Sequence, residues 1–177
     1  KAANEMRERI KKLIPDIPIE MINMGTFHSI CARILRREIS QLGFTPGFTI
    51  YDQKDSKALV KNVIKTLNID SKQYHPNGVQ NYISKLKNDM IMPEVFKSQA
   101  HGYWEEAITE IYQSYQSELK KNNALDFDDL ILHALTLFKN YPTVLNEYRH
   151  QYQYVLVDEY QDTNVPQFQF IKYLSKG

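Results

Sequence analysis

The stretch Tyr154–Asn164, YVLVDEYQDTN, decides how the chain is read. Tyr154, Val155, Leu156 and Val157 are aromatic, β-branched or leucine, and the run is too short for a helix. It reads as a buried strand. Two carboxylates follow at once, Asp158 and Glu159. A short apolar run ending in adjacent acids puts both at the carboxyl edge of a parallel sheet, where α/β folds bind ligands. Neighbouring side chains there point in different directions. One acid can then hold Mg2+ through water while the other addresses an attacking water. A strand running into an acidic turn accounts for the same apolar run and acid pair. The full heptad DEYQDTN, Asp158–Asn164, is the rarer pattern.

Three more stretches stand in order along the chain: KAANEMRERI (Lys1–Ile10), GTFHSICARILRRE (Gly25–Glu38) and ALDFDDLI (Ala124–Ile131). Together with DEYQDTN they resemble the motifs of the UvrD/PcrA/Rep family of superfamily 1 DNA helicases. DEYQDTN looks like motif II of that family, its Walker B element. Tyr160 stands where the usual form has Phe, which keeps the ring and adds a hydroxyl.

The resemblance implies an α/β fold dominated by helix: part of a RecA-like P-loop motor domain (subdomain 1A) carrying a large, mostly helical insertion (subdomain 1B). It divides the chain into residues 1–26 of the motor, an insertion over 27–152, and a return to the motor over 153–177. It implies ATP and Mg2+ as cofactors. Single-stranded DNA, the duplex junction, and repair or replication proteins would be the partners. The implied activity is ATP-driven 3′-to-5′ translocation and unwinding in the bacterial cytosol, during DNA repair or replication.

Roles carry over residue by residue. Asp158 would bind the Mg2+ and Glu159 would orient and deprotonate the attacking water. Gln161 and Asp162 would link that site to DNA-contacting segments. Thr26, Phe27 and His28 lie in the match to motif Ib, where a turn into a helix exposes backbone N–H groups that can cradle a phosphate. His28 can donate to a phosphate or stack on a base. Phe127 matches an aromatic on which the family stacks a base. Lys1 and Asn4 fall in the match to motif Ia, which touches the DNA backbone.

The composition fits this class and narrows it little. The chain has 177 residues, 42% hydrophobic and 24% charged, with net charge +1. That is ordinary for a globular protein. Net charge alone argues neither for nor against nucleic acid, but Arg33, Arg36 and Arg37 cluster on one predicted helix, and Lys120 and Lys121 end another. A charge cluster is also what a solvated helix face looks like. The single cysteine, Cys31, excludes an internal disulfide. No apolar run approaches the ~20 residues of a membrane span. The chain opens on Lys1 inside a motif and contains no GxxxxGK[ST] phosphate loop. It is therefore expected to be a fragment of a larger helicase, cut on both sides and inactive alone.

Between the motifs, helical spacing dominates. A helix is expected over Lys1–Ile14, with Met6, Ile10, Leu13 and Ile14 as its apolar stripe, and a strand over Ile17–Met24. Thr26 is a suitable N-cap for the next helix. From Tyr51 onward strand signal disappears. Asp52 caps a helix, Asn68–Gly78 is a polar loop, and Val79, Tyr82, Ile83 and Leu86 form the next stripe. Pro93–Phe96 is short, Tyr103–Asn122 is the longest helix, and Trp104 is expected inward. Asp126 caps a helix with Asp128 and Asp129 in its first turn, which suits the helix dipole. These three acids are read as capping residues, not a metal cluster, because adjacent helical positions do not converge on one ion. Pro142–Tyr152 is a further helix. Thr163 and Asn164 cap the last one, which packs through Phe168, Ile171 and Leu174. Two other readings fit the same residues: a helicase–nuclease subunit, or a DNA-binding or docking module on a non-catalytic motor.

Overall fold

The computed structural model describes residues 2–175, without the side chains of residues 2–4 and 21. It is dominated by helix, with a small parallel sheet. In chain order the elements are α1 (Ala2–Leu13), α2 (Phe27–Glu38), β1 (Thr49–Tyr51), α3 (Gln53–Thr66), α4 (Pro76–Asn88) and α5 (Pro93–Gln99). Then come α6 (Gly102–Lys121), β2 (Ala124–Asp126), α7 (Phe127–Asn140), α8 (Pro142–Gln151) and α9 (Val165–Ser175).

The apolar stripes sort these helices into two cores. One joins α2, α7, α8 and α9 through Ile34, Leu35, Leu137, Phe138, Tyr148 and Phe170. Phe138 stacks on Phe170 with ring centroids 5.7 Å apart. The other joins α3, α4, α5 and α6 through Val60, Ile64, Ile83, Phe96, Ile111 and Tyr112. Each fully buried Ile, Leu or Phe contributes ~1.5–3 kcal/mol through surface removed from water. β1 and β2 run between the cores: Leu125 packs in the first and Ala124 in the second.

The sheet was not expected. Thr49, Ile50 and Tyr51 pair in parallel with Ala124, Leu125 and Asp126. Three residues per strand are too few to show alternation, so the pairing follows from the helices that hold the strands together. Each strand delivers the chain into a helix through an acidic cap. Asp52 accepts the amides of Lys54 and Asp55 and caps α3, while Asp126 accepts the amide of Asp129 and caps α7. In both, the acid three residues on returns the bond to the capping residue's own N–H.

Several expectations need correction. Tyr154–Val157 is not a strand among the described residues. A strand exists only through its ladder, and no described segment pairs with it; Tyr154 is 90% and Leu156 97% exposed. Ile17–Met24 is not a strand either. It holds a single 3-10 turn at Ile19–Met21, entered from Pro18. The loop after α3 ends at His75, because Pro76 opens α4 at a position where its missing N–H costs nothing. In α9 the buried positions are Pro166, Phe170 and Leu174, whereas Phe168 is 41% exposed. In the stripe of α1 Leu13 is 79% exposed, while Met6, Ile10 and Ile14 are half-buried. Trp104 is partly exposed, yet packs edge-on to Tyr82 at 4.9 Å.

Candidate functional site

The acidic motif forms a tight turn. Asp158 and Glu159 are both exposed. The Glu159 backbone N–H donates to Asp158 Oδ1 at 3.1 Å. Glu159 sits at φ +50°, in the left-handed region. That conformation costs a non-glycine residue ~1–2 kcal/mol, and such strain gathers at functional turns. The turn continues through a 3-10 segment, Tyr160–Asp162. The Gln161 side-chain amide donates to Glu159 Oε2, fixing that carboxylate. Thr163 Oγ1 closes the segment by donating to the Tyr160 carbonyl at 2.8 Å. Asn164 then caps α9: its Oδ1 accepts the Gln167 amide at 3.0 Å, and its own amide donates to Gln167 Oε1 at 3.2 Å. The capping reading of Asn164 thus holds, and Gln167 completes the box.

This donor set fits Mg2+ in one specific way. Among the described residues no three His, Cys, Asp or Glu side chains gather to hold a metal. Mg2+ commonly takes one or two protein carboxylates and fills the rest of its shell with water and substrate phosphate. Exposed Asp158, with Glu159 beside it, meets that requirement.

The acids open onto a cleft of about 430 Å3 whose lining also includes Thr26, Phe27 and His28. The structure therefore brings the match to motif Ib and the match to motif II onto one concavity. Thr26 Oγ1 accepts the Ser29 amide at 3.3 Å and caps α2 as expected. Ser29 Oγ in turn donates to the Thr26 carbonyl at 2.9 Å. The amides of Phe27 and His28 belong to the first turn, which has no intrahelical acceptors. A Cβ at Gly25 would run into Ser29 Oγ, so the glycine keeps this turn tight. Phe27 packs edge-on to Phe170 at 6.5 Å, against the first core.

Phe127 lies outside this cleft, at a second cavity of about 200 Å3 formed at the carboxyl ends of β1 and β2. It is 50% exposed and is the first residue of α7. The His28 ring meets it edge-on, with centroids 5.7 Å apart. The two aromatic rings selected from sequence thus form one surface that spans the two cavities. Burial holds the His28 imidazole below its ordinary value, and the nearby Asp128 carboxylate only partly offsets this. Lys1 and the side chain of Asn4 lie outside the described residues.

Beneath Phe127 is a polar cluster that the sequence reading missed. The Lys87 side chain is 0% exposed, and its ammonium donates to Asp126 Oδ2 at 2.6 Å and Asp129 Oδ1 at 2.7 Å. Tyr115 donates its hydroxyl to Asp126 at 2.8 Å, and Gln116 its amide to Asp129 at 3.2 Å. Two of the three acids of ALDFDDLI therefore do converge, because positions 126 and 129 share a face; they converge on an ammonium rather than a metal. Burial alone would lower the Lys87 ammonium, but the two carboxylates outweigh it and hold the charge on. Burial and then Asp129 push the Asp126 carboxyl up. Asp129 also feels burial, but Lys87 and then His133 bring it below its ordinary value. A signal existed: Lys87 follows Val79, Ile83 and Leu86 at helical spacing, so a lysine stood on an apolar face.

The basic cluster of α2 is not wholly free for DNA. Arg36 lies over the Phe48 ring at 3.8 Å and donates to the Pro46 carbonyl at 2.6 Å, while Arg33 and Arg37 are exposed. Lys120 lies 5.8 Å from the Phe44 ring centroid. Among the described residues no helix is long and apolar enough to cross a membrane.

Comparison with known proteins bears on the same motifs. The ATP-dependent DNA helicase PcrA of Staphylococcus aureus is 45% identical over 175 residues, covering 99% of this chain and 24% of that protein. The protein of the same name from Staphylococcus epidermidis is 42% identical over the same span and shares. The chain thus spans about a quarter of the length of these relatives. Residues 1–177 match the UvrD/REP helicase N-terminal domain. Family match and identity cover essentially the whole chain, and the chain belongs to the UvrD/REP helicase N-terminal domain family.

Proposed function

We propose that the chain is part of the first motor domain of an ATP-dependent DNA helicase that moves 3′-to-5′ along single-stranded DNA. The observation that carries this reading is the shared cleft, which puts Asp158 and Glu159 across from Thr26 and His28. Nucleotide chemistry and DNA contact then act on one piece of structure. Bound ATP and Mg2+ supply the cleavable phosphoanhydride and the neutralising charge. Asp158 would hold the metal. Glu159, steadied by Gln161, orients the attacking water and takes its proton at the carboxylate. The α2 N-terminus, with its first-turn amides, binds a DNA phosphate. Phe127 offers its exposed ring to a base, and His28 supports that ring from the side.

The packing supports a narrower insertion than residues 27–152. The core of α3 to α6 is the unit we assign to the helical insertion. α2, α7 and α8 share a core with α9, which argues for placing them on the motor side. The working protein would act in the cytosol, in DNA repair or replication, at single-strand–duplex junctions. The 177 residues contain no phosphate-loop motif, so we expect no ATP hydrolysis from the chain alone.

Strand polarity is the direct test. The full-length protein with ATP should unwind a duplex carrying a 3′ single-stranded tail and leave a 5′-tailed duplex intact. Unwinding of the 5′-tailed substrate alone, or of both equally, would contradict the proposed direction.

A further inference from the structure

α4 carries Asn88 at its C-terminal end, half-buried between the two segments that the proposed function assigns to nucleotide and to DNA. Its Nδ2 donates to Asp128 Oδ1 at 3.1 Å and to the Ser84 carbonyl at 2.8 Å. Its Oδ1 accepts from Asn164 Nδ2 at 2.6 Å. Asn164 is the last residue of DEYQDTN and the cap of α9. Asp128 stands in the first turn of α7, next to Phe127, and also accepts from Ser84 Oγ at 2.7 Å.

The directions of these bonds leave one arrangement. The Ser84 carbonyl and the Asp128 carboxylate can only accept, so the Asn88 amide nitrogen must face them. Its oxygen then faces Asn164, which must present its own amide nitrogen. That leaves the Asn164 oxygen for the Gln167 backbone amide, as found. Turning any one amide over would set donor against donor or acceptor against acceptor. The relay is therefore directional, and a shift of the acidic turn that moves Asn164 cannot leave Asp128 unaffected.

We infer that Asn88 is a positioning residue that couples the acidic motif to Phe127, so that the nucleotide state of Asp158–Glu159 and the stacking of a DNA base on α7 depend on each other. This rests on the proposed function. Asn88 touches neither ligand in that reading; it acts through Asn164 and Asp128. Coupling of this kind is a reciprocal free energy between sites, and its warrant is a substitution that uncouples them.

The test uses the full-length protein, ATP and a poly-dT oligonucleotide. Asn88→Ala should keep basal ATPase within twofold and lose at least fivefold of the stimulation by DNA. Asn88→Asp should lose it too, because a second carboxylate then faces Asp128. Hydrogen exchange should quicken in Asn88→Ala at the first turns of both α7 and α9. Full stimulation in Asn88→Ala, or unchanged exchange at both turns, would overturn the coupling. No DNA stimulation in the unsubstituted protein would overturn the functional reading and the coupling with it, whereas stimulation that survives Asn88→Ala overturns the coupling alone.

Discussion

Replacing Lys87 with Met should destabilise the fold by ~3–4 kcal/mol at pH 7. The side chain is completely buried, so Met preserves the packing of the stem and deletes only the ammonium. Two carboxylates, at 2.6 and 2.7 Å from the lost nitrogen, are left together under Phe127. Breaking a buried ion pair from one side typically costs ~3–5 kcal/mol. A proton sets the ceiling here. The pair can relieve itself by protonating one acid, and for a carboxyl of ordinary pKa ~3.9 this costs ~4 kcal/mol at pH 7 but only ~1.5 kcal/mol at pH 5. The sign follows: in the variant the folded acid pair titrates above the unfolded value, so the folded state binds the extra proton and gains stability as pH falls. Lys87 in the unsubstituted chain stays charged throughout this range, its ammonium being held above the ordinary value. The assay is urea unfolding followed by the fluorescence of Trp104, the one tryptophan in the sequence. With a slope of ~2 kcal/mol/M the midpoint should fall by ~1.5–2 M at pH 7, and by less than half of that at pH 5. A drop below ~0.5 M at pH 7, or one that does not shrink at pH 5, would refute the reasoning.

Two further predictions concern DNA. Phe127→Ala should weaken single-strand binding by the full-length protein by ~1–3 kcal/mol, the usual worth of a base stacked on an aromatic ring. Its urea midpoint should hardly move because the residue is half-exposed; unchanged affinity by fluorescence anisotropy would remove Phe127 from the site. His28 should be neutral at pH 7.5, since burial holds it below its ordinary value. Its depressed value means that its contribution to stability is present above the unfolded value and is lost as pH falls through the folded one. DNA affinity should therefore strengthen as pH falls below the ordinary imidazole value and a new cation meets the phosphates, with a steeper salt dependence; an identical pH response in His28→Gln would contradict this.

The sequence carried more of the site than of its supports. Thr26, Asp52, Asp126 and Asn164 were legible as caps because each is a short polar side chain directly before an apolar periodic run. The acidic turn was legible as a motif, but Glu159 at φ +50° and the clasp of Gln161 on Glu159 were not, because local pattern says nothing of a left-handed residue. The run Tyr154–Val157 has the composition of a strand without a ladder partner among the described residues, and pairing is not a property of one segment. The opposite happened at Thr49–Tyr51 and Ala124–Asp126, which are too short to announce themselves and are paired by the helices they feed. Lys87 was hidden because its partners lie about forty positions on, in a motif whose acids already had a sufficient local role as caps.

The central claim, that Asp158 and Glu159 serve a DNA-dependent ATPase, is tested most directly by one rate. ATP hydrolysis by the full-length protein should be measured with and without single-stranded DNA, beside Glu159→Gln and with the 177-residue chain as a blank. The account predicts strong stimulation by DNA, its loss in Glu159→Gln, and no turnover by the chain alone. Hydrolysis that ignores DNA, or that survives intact in Glu159→Gln, would contradict it.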